Sequence, residues 1–316
     1  MARYDSILDL IGNTPLVDVS RLSPAPGVRM FAKLEGQNPG GSSKDRIALE
    51  MVRLAEHDGV LDPERGDTIL EPSSGNTGIG LALVAKLRGY HLRIVMPENV
   101  SVERRQLLEI FGAEITLSPG EEGSNGAIRM AEKIVADEPS YKFLFQYGNP
   151  ANPLAHYKGT GPEILADCPE IDVFVAGLGT SGTLMGAGRY LKEHKPDVKI
   201  VAVEPPAGEL VQGLRNLDDG FVPPIFDAGV LDRKTIMRPR QSIEWTRRLL
   251  NECGVFAGIS SGAAVGGAAR YIDQTGMTSG TVVTLLPDGG WKYLSSGAWT
   301  DDLDTVVERA TRINYW

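Results

Sequence analysis

From about residue 67 the chain repeats one unit: a short, almost uninterrupted apolar run, a turn of glycines and hydroxyl residues, then a stretch with helical spacing. DTILE leads into EPSSGNTG and TGIGLALVAKLRG, LRIVMP into SVERRQLLEIFG, EITLS into GAIRMAEKIVAD, and VFVAGL into GTLMGAGRYLKEH; KIVAVE and TVVTLLP follow as further strand-like runs. Strands that are apolar on both faces must be covered on both faces. The pattern therefore predicts an α/β architecture of mostly parallel sheet flanked by helices. In such sheets ligands gather where strands hand over to helices, so the turns are the places to search. Division into two α/β lobes is compatible with 316 residues. The irregular stretch from Pro205 to Pro239 reads as a mobile cover or a dimer contact.

Bulk properties narrow the function. Apolar residues make up 42% and charged residues 23%, as in ordinary globular proteins, and the net charge is -9. An acidic chain is a poor partner for nucleic acid, so an anionic ligand must be caught by a local site. Asp5 and Asp9 interrupt the opening apolar stretch, unlike a secretory or transit segment, and Lys86 and Arg88 break the best candidate for a membrane span. A cytoplasmic protein without membrane or nucleic-acid partners is expected. Cys168 and Cys253 lack metal-type spacing and the histidines are scattered, so no metal site is expected.

The turn in VFVAGLGTSGTLMGAG holds Gly177-x-Gly179-x-x-Gly182 between a strand and a helix, and Glu204 ends the next strand about 20 residues on. That spacing admits a nicotinamide dehydrogenase. Thr180, Ser181 and Thr183 favour a different ligand: hydroxyl donors beside helix-start N–H groups suit a terminal phosphate with several free oxygens. In EPSSGNTG, Ser73, Ser74, Asn76 and Thr77 read either as an ordinary helix cap or as a carboxylate site with an amide donor. GISSGAAVGGA places Ser260 or Ser261 at another helix start. In NPGGSSKDRI, Lys44 follows turn chemistry and a Ser42 or Ser43 cap. It reads either as a solvated helix-start charge or as an amine that condenses with an aldehyde cofactor.

Together these stretches, with IGNTPLV, VSVERRQLLEIFGAE, QYGNPANPLAHYKGTGPEI and PDGGWKYLSSG, resemble the fold-type II pyridoxal-phosphate enzymes. The likeness is closest to the cysteine synthases, nearer the B type and the O-phosphoserine sulfhydrylases, and it spans nearly the whole chain. It implies pyridoxal 5′-phosphate as cofactor and Lys44 as the Schiff-base lysine. It places Asn76 at the cofactor's 3′ oxygen, Gly179, Thr180, Ser181, Gly182 and Thr183 around its phosphate, and Ser260 beside its ring nitrogen. Ser73, Ser74, Thr77 and Gln146 match the groups that hold the substrate carboxylate. The resemblance further implies two α/β domains, a larger one of residues 1–38 plus 146–316 and a smaller mobile one of residues 39–145, in a homodimer.

The implied reaction is β-replacement, in which an O-activated serine passes through an α-aminoacrylate and a sulfur nucleophile completes cysteine. A buried amine loses hydration and can serve as tether and base at neutral pH, and a neutral serine at the ring nitrogen suits loss of a good β leaving group. The cystathionine β-synthase core, with a thiol acceptor, remains an alternative on the same motif, and a non-catalytic relative is another. The sulfur donor is implied to be sulfide, thiosulfate or the thiocarboxylate of a small carrier protein. In VQGLRNLDDGFVP, Arg215 occupies the place of an arginine in phosphoserine-using relatives, so O-phosphoserine is expected ahead of O-acetylserine; a salt bridge to Asp218 or Asp219 is the competing account. The apolar tail Ile313, Tyr315 and Trp316 reads as packing on its own surface or lying near the cleft.

Overall fold

The structure is a computed structural model that describes residues 3–73 and 75–312; Ser74 and the expectation for the tail at Ile313, Tyr315 and Trp316 lie outside the described residues. In chain order the strands are β1 (Leu16–Asp18), β2 (Val28–Leu34), β3 (Thr68–Pro72), β4 (His91–Pro97), β5 (Glu114–Ser118), β6 (Lys142–Phe143), β7 (Val173–Gly177), β8 (Lys199–Glu204), β9 (Arg233–Ile236) and β10 (Gly280–Leu286). The helices are α1 (Lys44–His57), α2 (Asn76–Arg88), α3 (Val102–Phe111), α4 (Gly123–Asp137), α5 (Ala151–Ala155), α6 (Gly161–Asp167), α7 (Gly182–His194), α8 (Pro239–Cys253), α9 (Ile259–Thr275) and α10 (Leu303–Arg312).

One sheet runs β1-β2-β10-β7-β8-β9 and the other β5-β4-β3-β6; every pairing is parallel except β1 with β2. In the larger sheet, alternate residues feed opposite cores, as a two-residue period demands. Val173, Val175, Val201, Val203 and Val282 pack with α8 and α9 residues such as Ile243 and Val265. Phe174, Ala176, Ile200, Ala202, Val283 and Leu285 pack with α6 and α7 residues such as Ile164 and Leu184. In the smaller sheet Ile69, Ile94 and Met96 face α1 and α2, whereas Leu70 and Val95 face α4. Helix α9 approaches α8 closely because it is made of small residues: a Cβ at Gly262 would lie 2.3 Å from the Ser242 carbonyl oxygen. Among the described residues no helix is long and apolar enough to cross a membrane.

Strands β1, β2, β6 and β9 go beyond the units read from the sequence. Charged Arg29 and Lys33 interrupt the apolar run of β2, yet this strand joins the chain's two ends, pairing from Val28↔Gly280 to Leu34↔Leu286. Lys33 is tolerated because its fully buried ammonium donates to the Thr14 carbonyl (2.6 Å) and meets Glu163 at 2.8 Å. The same cluster holds α1. Arg46 donates to both oxygens of fully buried Glu35, at 2.6 and 2.9 Å, and to both of Glu163, at 2.7 Å each. Thr14 closes the ring, its hydroxyl donating to Glu35 at 2.6 Å.

Breaking such a cluster from one side leaves a buried charge unmatched. Arg46→Met is expected to cost about 3–5 kcal/mol in urea unfolding, and a loss below about 1 kcal/mol would show that the cluster relaxes without it. Burial by itself would raise the Glu163 carboxyl, but its hydrogen bonds and charge contacts with Arg46 and Lys33 hold it at about 2, below its ordinary 4.5. A depressed folded-state pKa supplies stability that is complete above 4.5 and is lost as pH falls toward 2. Wild-type stability measured across that window should therefore fall more steeply than that of Glu163→Gln.

Candidate active site

Because the strands within each sheet run almost entirely parallel, their C-terminal ends lie together, and the turns leaving β3 and β7 open into one cavity. Lys44, Ser73, Asn76, Thr77, Gln146 and the Gly179–Thr183 turn line it, with Arg104, Arg215, Ser260 and Tyr293. The structure thus brings every described candidate residue from the sequence to one place.

Lys44 is the first residue of α1. The hydroxyl of Ser42, rather than Ser43, accepts from the Lys44 N–H at 3.2 Å, and the Ser43 N–H anchors the turn on the Pro287 carbonyl at 2.8 Å. The amine keeps part of its surface on the cavity, where the Ser43 hydroxyl, 3.4 Å away, is a weak partner. Burial lowers its pKa, opposed in part by Asp288 and Glu35. Its place in the first turn, at the positive end of the helix dipole, works in the same direction as burial. Both effects favour the free base, the form that attacks a carbonyl.

Across the cavity the β7–α7 turn is shaped to receive an anion. Ser181 adopts a left-handed conformation (φ 70°), and its buried hydroxyl has no hydrogen-bond partner. Gly182 packs directly against Asn152: a Cβ there would lie 1.8 Å from Asn152 Oδ1, itself buried and unpartnered. Asn152 Nδ2 donates to Thr180 Oγ1 (3.0 Å) and to the Gln146 carbonyl (2.8 Å), tying the turn to the opposite wall. Thr183 meets His156 Nε2 at 3.2 Å, and His156 Nδ1 meets Thr160 at 2.9 Å within a single π-helical turn, His156–Thr160. Burial, reinforced by Lys44 and Arg46, holds this histidine neutral, well below its ordinary pKa. The orphaned Ser181 hydroxyl, in a turn opened by Gly179 and Gly182 at the start of a 13-residue helix, fits a phosphate. The acid of the dinucleotide spacing points elsewhere: Glu204 meets Lys234 at 3.0 Å on the neighbouring strand and lies outside the cavity lining.

On the β3–α2 side, Ser73 Oγ accepts from the Gly78 N–H (3.0 Å) and Thr77 Oγ1 donates to Gln146 Oε1 (2.6 Å). Gln146 is placed by Glu71, whose carboxylate receives the N–H groups of Phe145 (2.8 Å) and Gln146 (3.0 Å), supporting the positive φ of Phe145. Asn76 is held from behind by Asp288 and Lys292. Burial draws fully buried Lys292 down to about 8, with Asp288 and Asp45 opposing.

Arg215 is buried between the rings of Phe221 and Tyr147, at 4.7 and 5.4 Å, with Ser124 Oγ 3.5 Å from Nη2. Asp218 and Asp219 do not occupy it; among the described residues no carboxylate forms an ion pair with it. Arg104 is buried as well, over the Tyr293 ring at 5.0 Å, with Nε and Nη1 unpartnered. The described lining therefore offers Lys44, Arg104 and Arg215 and no carboxylate. Sequence reasoning missed Glu71, Arg104, Asn152, His156, Asp288 and Lys292. All lie inside stretches already quoted, but only their partners, far away in the chain, reveal what they do.

A family model described as "Pyridoxal-phosphate dependent enzyme" matches residues 7–288. A cysteine synthase of Staphylococcus aureus (strain Mu50) is 43% identical over 307 residues, covering 94% of this chain and 98% of the relative. The crystal structure of an O-ureido-L-serine synthase superposes with a TM-score of 0.88 at 40% identity, covering 94% of this chain and 96% of that one. That of a cysteine synthase from Entamoeba histolytica gives 0.88 at 34% identity, covering 98% and 96%.

A methyl group at residue 182 would collide with Asn152, which holds Thr180, and so displace the turn that forms the cradle. Gly182→Ala is expected to weaken binding of inorganic phosphate by about tenfold or more, roughly 1.4 kcal/mol. Calorimetric titration of both proteins checks this, and equal affinities would place the phosphate elsewhere.

Proposed function

The chain belongs to the pyridoxal-phosphate dependent enzyme family, and on that premise we propose that it works as a cysteine synthase, replacing the β substituent of an O-activated L-serine by sulfur. One observation carries the reading: an amine whose pKa is pulled down by burial shares a cavity with a cradle of hydroxyls and N–H groups fit for the cofactor's phosphate. When bound, pyridoxal phosphate supplies the electron sink that makes the Cα proton acidic and the β substituent labile.

This chain's residues do the rest. Lys44 would tether the cofactor and serve as the base that carries the Cα proton away and back. Gly179, Thr180, Ser181, Gly182 and Thr183 would hold its phosphate. Asn76 would donate to its 3′ oxygen, and Ser260, neutral, would serve its ring nitrogen. Ser73, Ser74, Thr77 and Gln146 receive the substrate carboxylate, the Thr77–Gln146 hydrogen bond keeping the amide of Gln146 turned toward its site. Residues 39–145 form a smaller domain that closes on the larger one, residues 1–38 and 146–316, and excludes water. A cytoplasmic homodimer, with sulfide, thiosulfate or a carrier-protein thiocarboxylate as donor, completes the proposal.

For the first substrate the cavity favours O-phosphoserine over O-acetylserine. Arg215 is a buried guanidinium with no anionic partner among the described residues, and an acetyl group offers it no charge. A phosphate can accept a two-pronged hydrogen bond on the order of 2–4 kcal/mol.

Purified protein should be yellow, and borohydride should fix the cofactor on Lys44; Lys44→Ala should abolish both the fixation and turnover. Colourless wild-type protein that takes up no pyridoxal phosphate would overturn the reading, and bound cofactor without turnover of any β-substituted serine would mark a non-catalytic relative. Arg215→Ala should lower kcat/KM for O-phosphoserine by two or more orders of magnitude, roughly 3 kcal/mol, and barely change that for O-acetylserine. Equal losses would remove the phosphoserine assignment.

A further inference from the structure

Asn76 is the one amide the proposed function places against the cofactor's 3′ oxygen, and an amide can present either its donor or its acceptor end to a ligand. Here the choice is made behind the cavity wall. Lys292 Nζ donates to Asn76 Oδ1 at 2.7 Å, and Asn76 Nδ2 donates to Asp288 Oδ2 at 2.7 Å. An ammonium can only donate and an ionised carboxylate can only accept. Turning the amide over would set N–H against ammonium and carbonyl against carboxylate, two repulsive contacts in place of two charge-assisted bonds. Only one hydrogen of Nδ2 is used by Asp288, so the other remains for the cavity.

The two charges are themselves fixed. Lys292 Nζ also donates to the Gly40 carbonyl at 2.8 Å, in the turn that leads to Lys44. Tyr293 donates to the same Asp288 oxygen at 2.5 Å. Lys292 and Asp288 are both buried, and bridges pair Ser42 with Asp288 and Ala257 with Gly289. Gly258 is kept free of a side chain at this point, since a Cβ there would lie 2.1 Å from Asp288 Oδ1.

We propose that Lys292 and Asp288 are positioning residues that lock the Asn76 amide with its donor end toward the cavity and couple it to the Lys44 turn, so that an acceptor oxygen is selected at the 3′ position of the bound ring. The proposal rests on the reading of Asn76 as the cofactor's partner. Neither residue lines the cavity, so they act through Asn76.

The test pairs a readout that needs no cofactor with one that does. In nitrogen-15-labelled protein freed of cofactor, the side-chain amide of Asn76, assigned by its loss in Asn76→Ala, should exchange its hydrogens at least about tenfold more slowly in the wild type than in Lys292→Met, the equivalent of about 1.4 kcal/mol of protection. In the holoenzyme, Lys292→Met should change the ratio of the cofactor's long- to short-wavelength absorbance bands, and adding it to Asn76→Ala should change that ratio no further. If Lys292→Met does not fold, Lys292→Gln, which keeps a donor without the charge, should shift both readouts in the same direction. Equal exchange rates, or a band change that persists in the Asn76→Ala background, would overturn the lock. Slow exchange in a wild-type protein that takes up no pyridoxal phosphate would instead sink the functional reading and leave the lock standing.

Discussion

Arg46 sits between Glu35 and Glu163, and the placement of everything around the cavity depends on that arrangement. Glu35 follows β2, Glu163 lies on α6, and Arg46 belongs to the first turn of α1, so one guanidinium ties a strand end and two helices together. Burying these charges costs solvation, and a well-packed apolar substitute could match the stability. What the ion pairs add is geometry. Each guanidinium N–H points along a set direction, so the first turn of α1 can take only one rotation and depth. Lys44, two residues earlier on the same turn, inherits that placement.

The cavity continues the same electrostatic logic. Its described lining carries cations, whereas the acids Glu35, Asp45 and Asp288 lie behind it, engaged with backbone or with arginine, asparagine and tyrosine partners. Helices α1, α2 and α7 all begin here, adding positive dipole ends and free N–H groups. A small anion with a carboxylate and a phosphate can replace the water that these groups would otherwise need. Burial, which lowers the pKa of both Lys44 and His156, works against further positive charge among so many donors.

Much of this was legible beforehand. The double-sided apolar runs specified parallel sheet, and the hydroxyl-rich turns marked the strand ends that open into the cavity. Residues such as Ser181 and Gly182 stood out because their chemistry is local: a turn, a helix start and a missing Cβ are all properties of adjacent residues. The strand β2 did not stand out, because Lys33 looks like a surface residue until Thr14 and Glu163 are placed around it. Glu71 likewise looks like a strand terminus until Phe145 and Gln146 bring their N–H groups to it.

The sequence by itself determined the alternation of strand and helix, the turns that line the cavity, and the lysine at the start of α1, since each depends on side-chain period or on neighbours in the chain. Tertiary structure alone decided which buried charges meet: Arg46 with Glu163, Asn76 with Asp288 and Lys292, Asn152 with Thr180, and Arg215 with aromatic rings instead of Asp218 or Asp219. Apart from Arg215 and Phe221, those partners are separated by tens to hundreds of positions. A buried charge or amide acquires a direction only from the group that satisfies it, and that group is chosen by how the sheets pack.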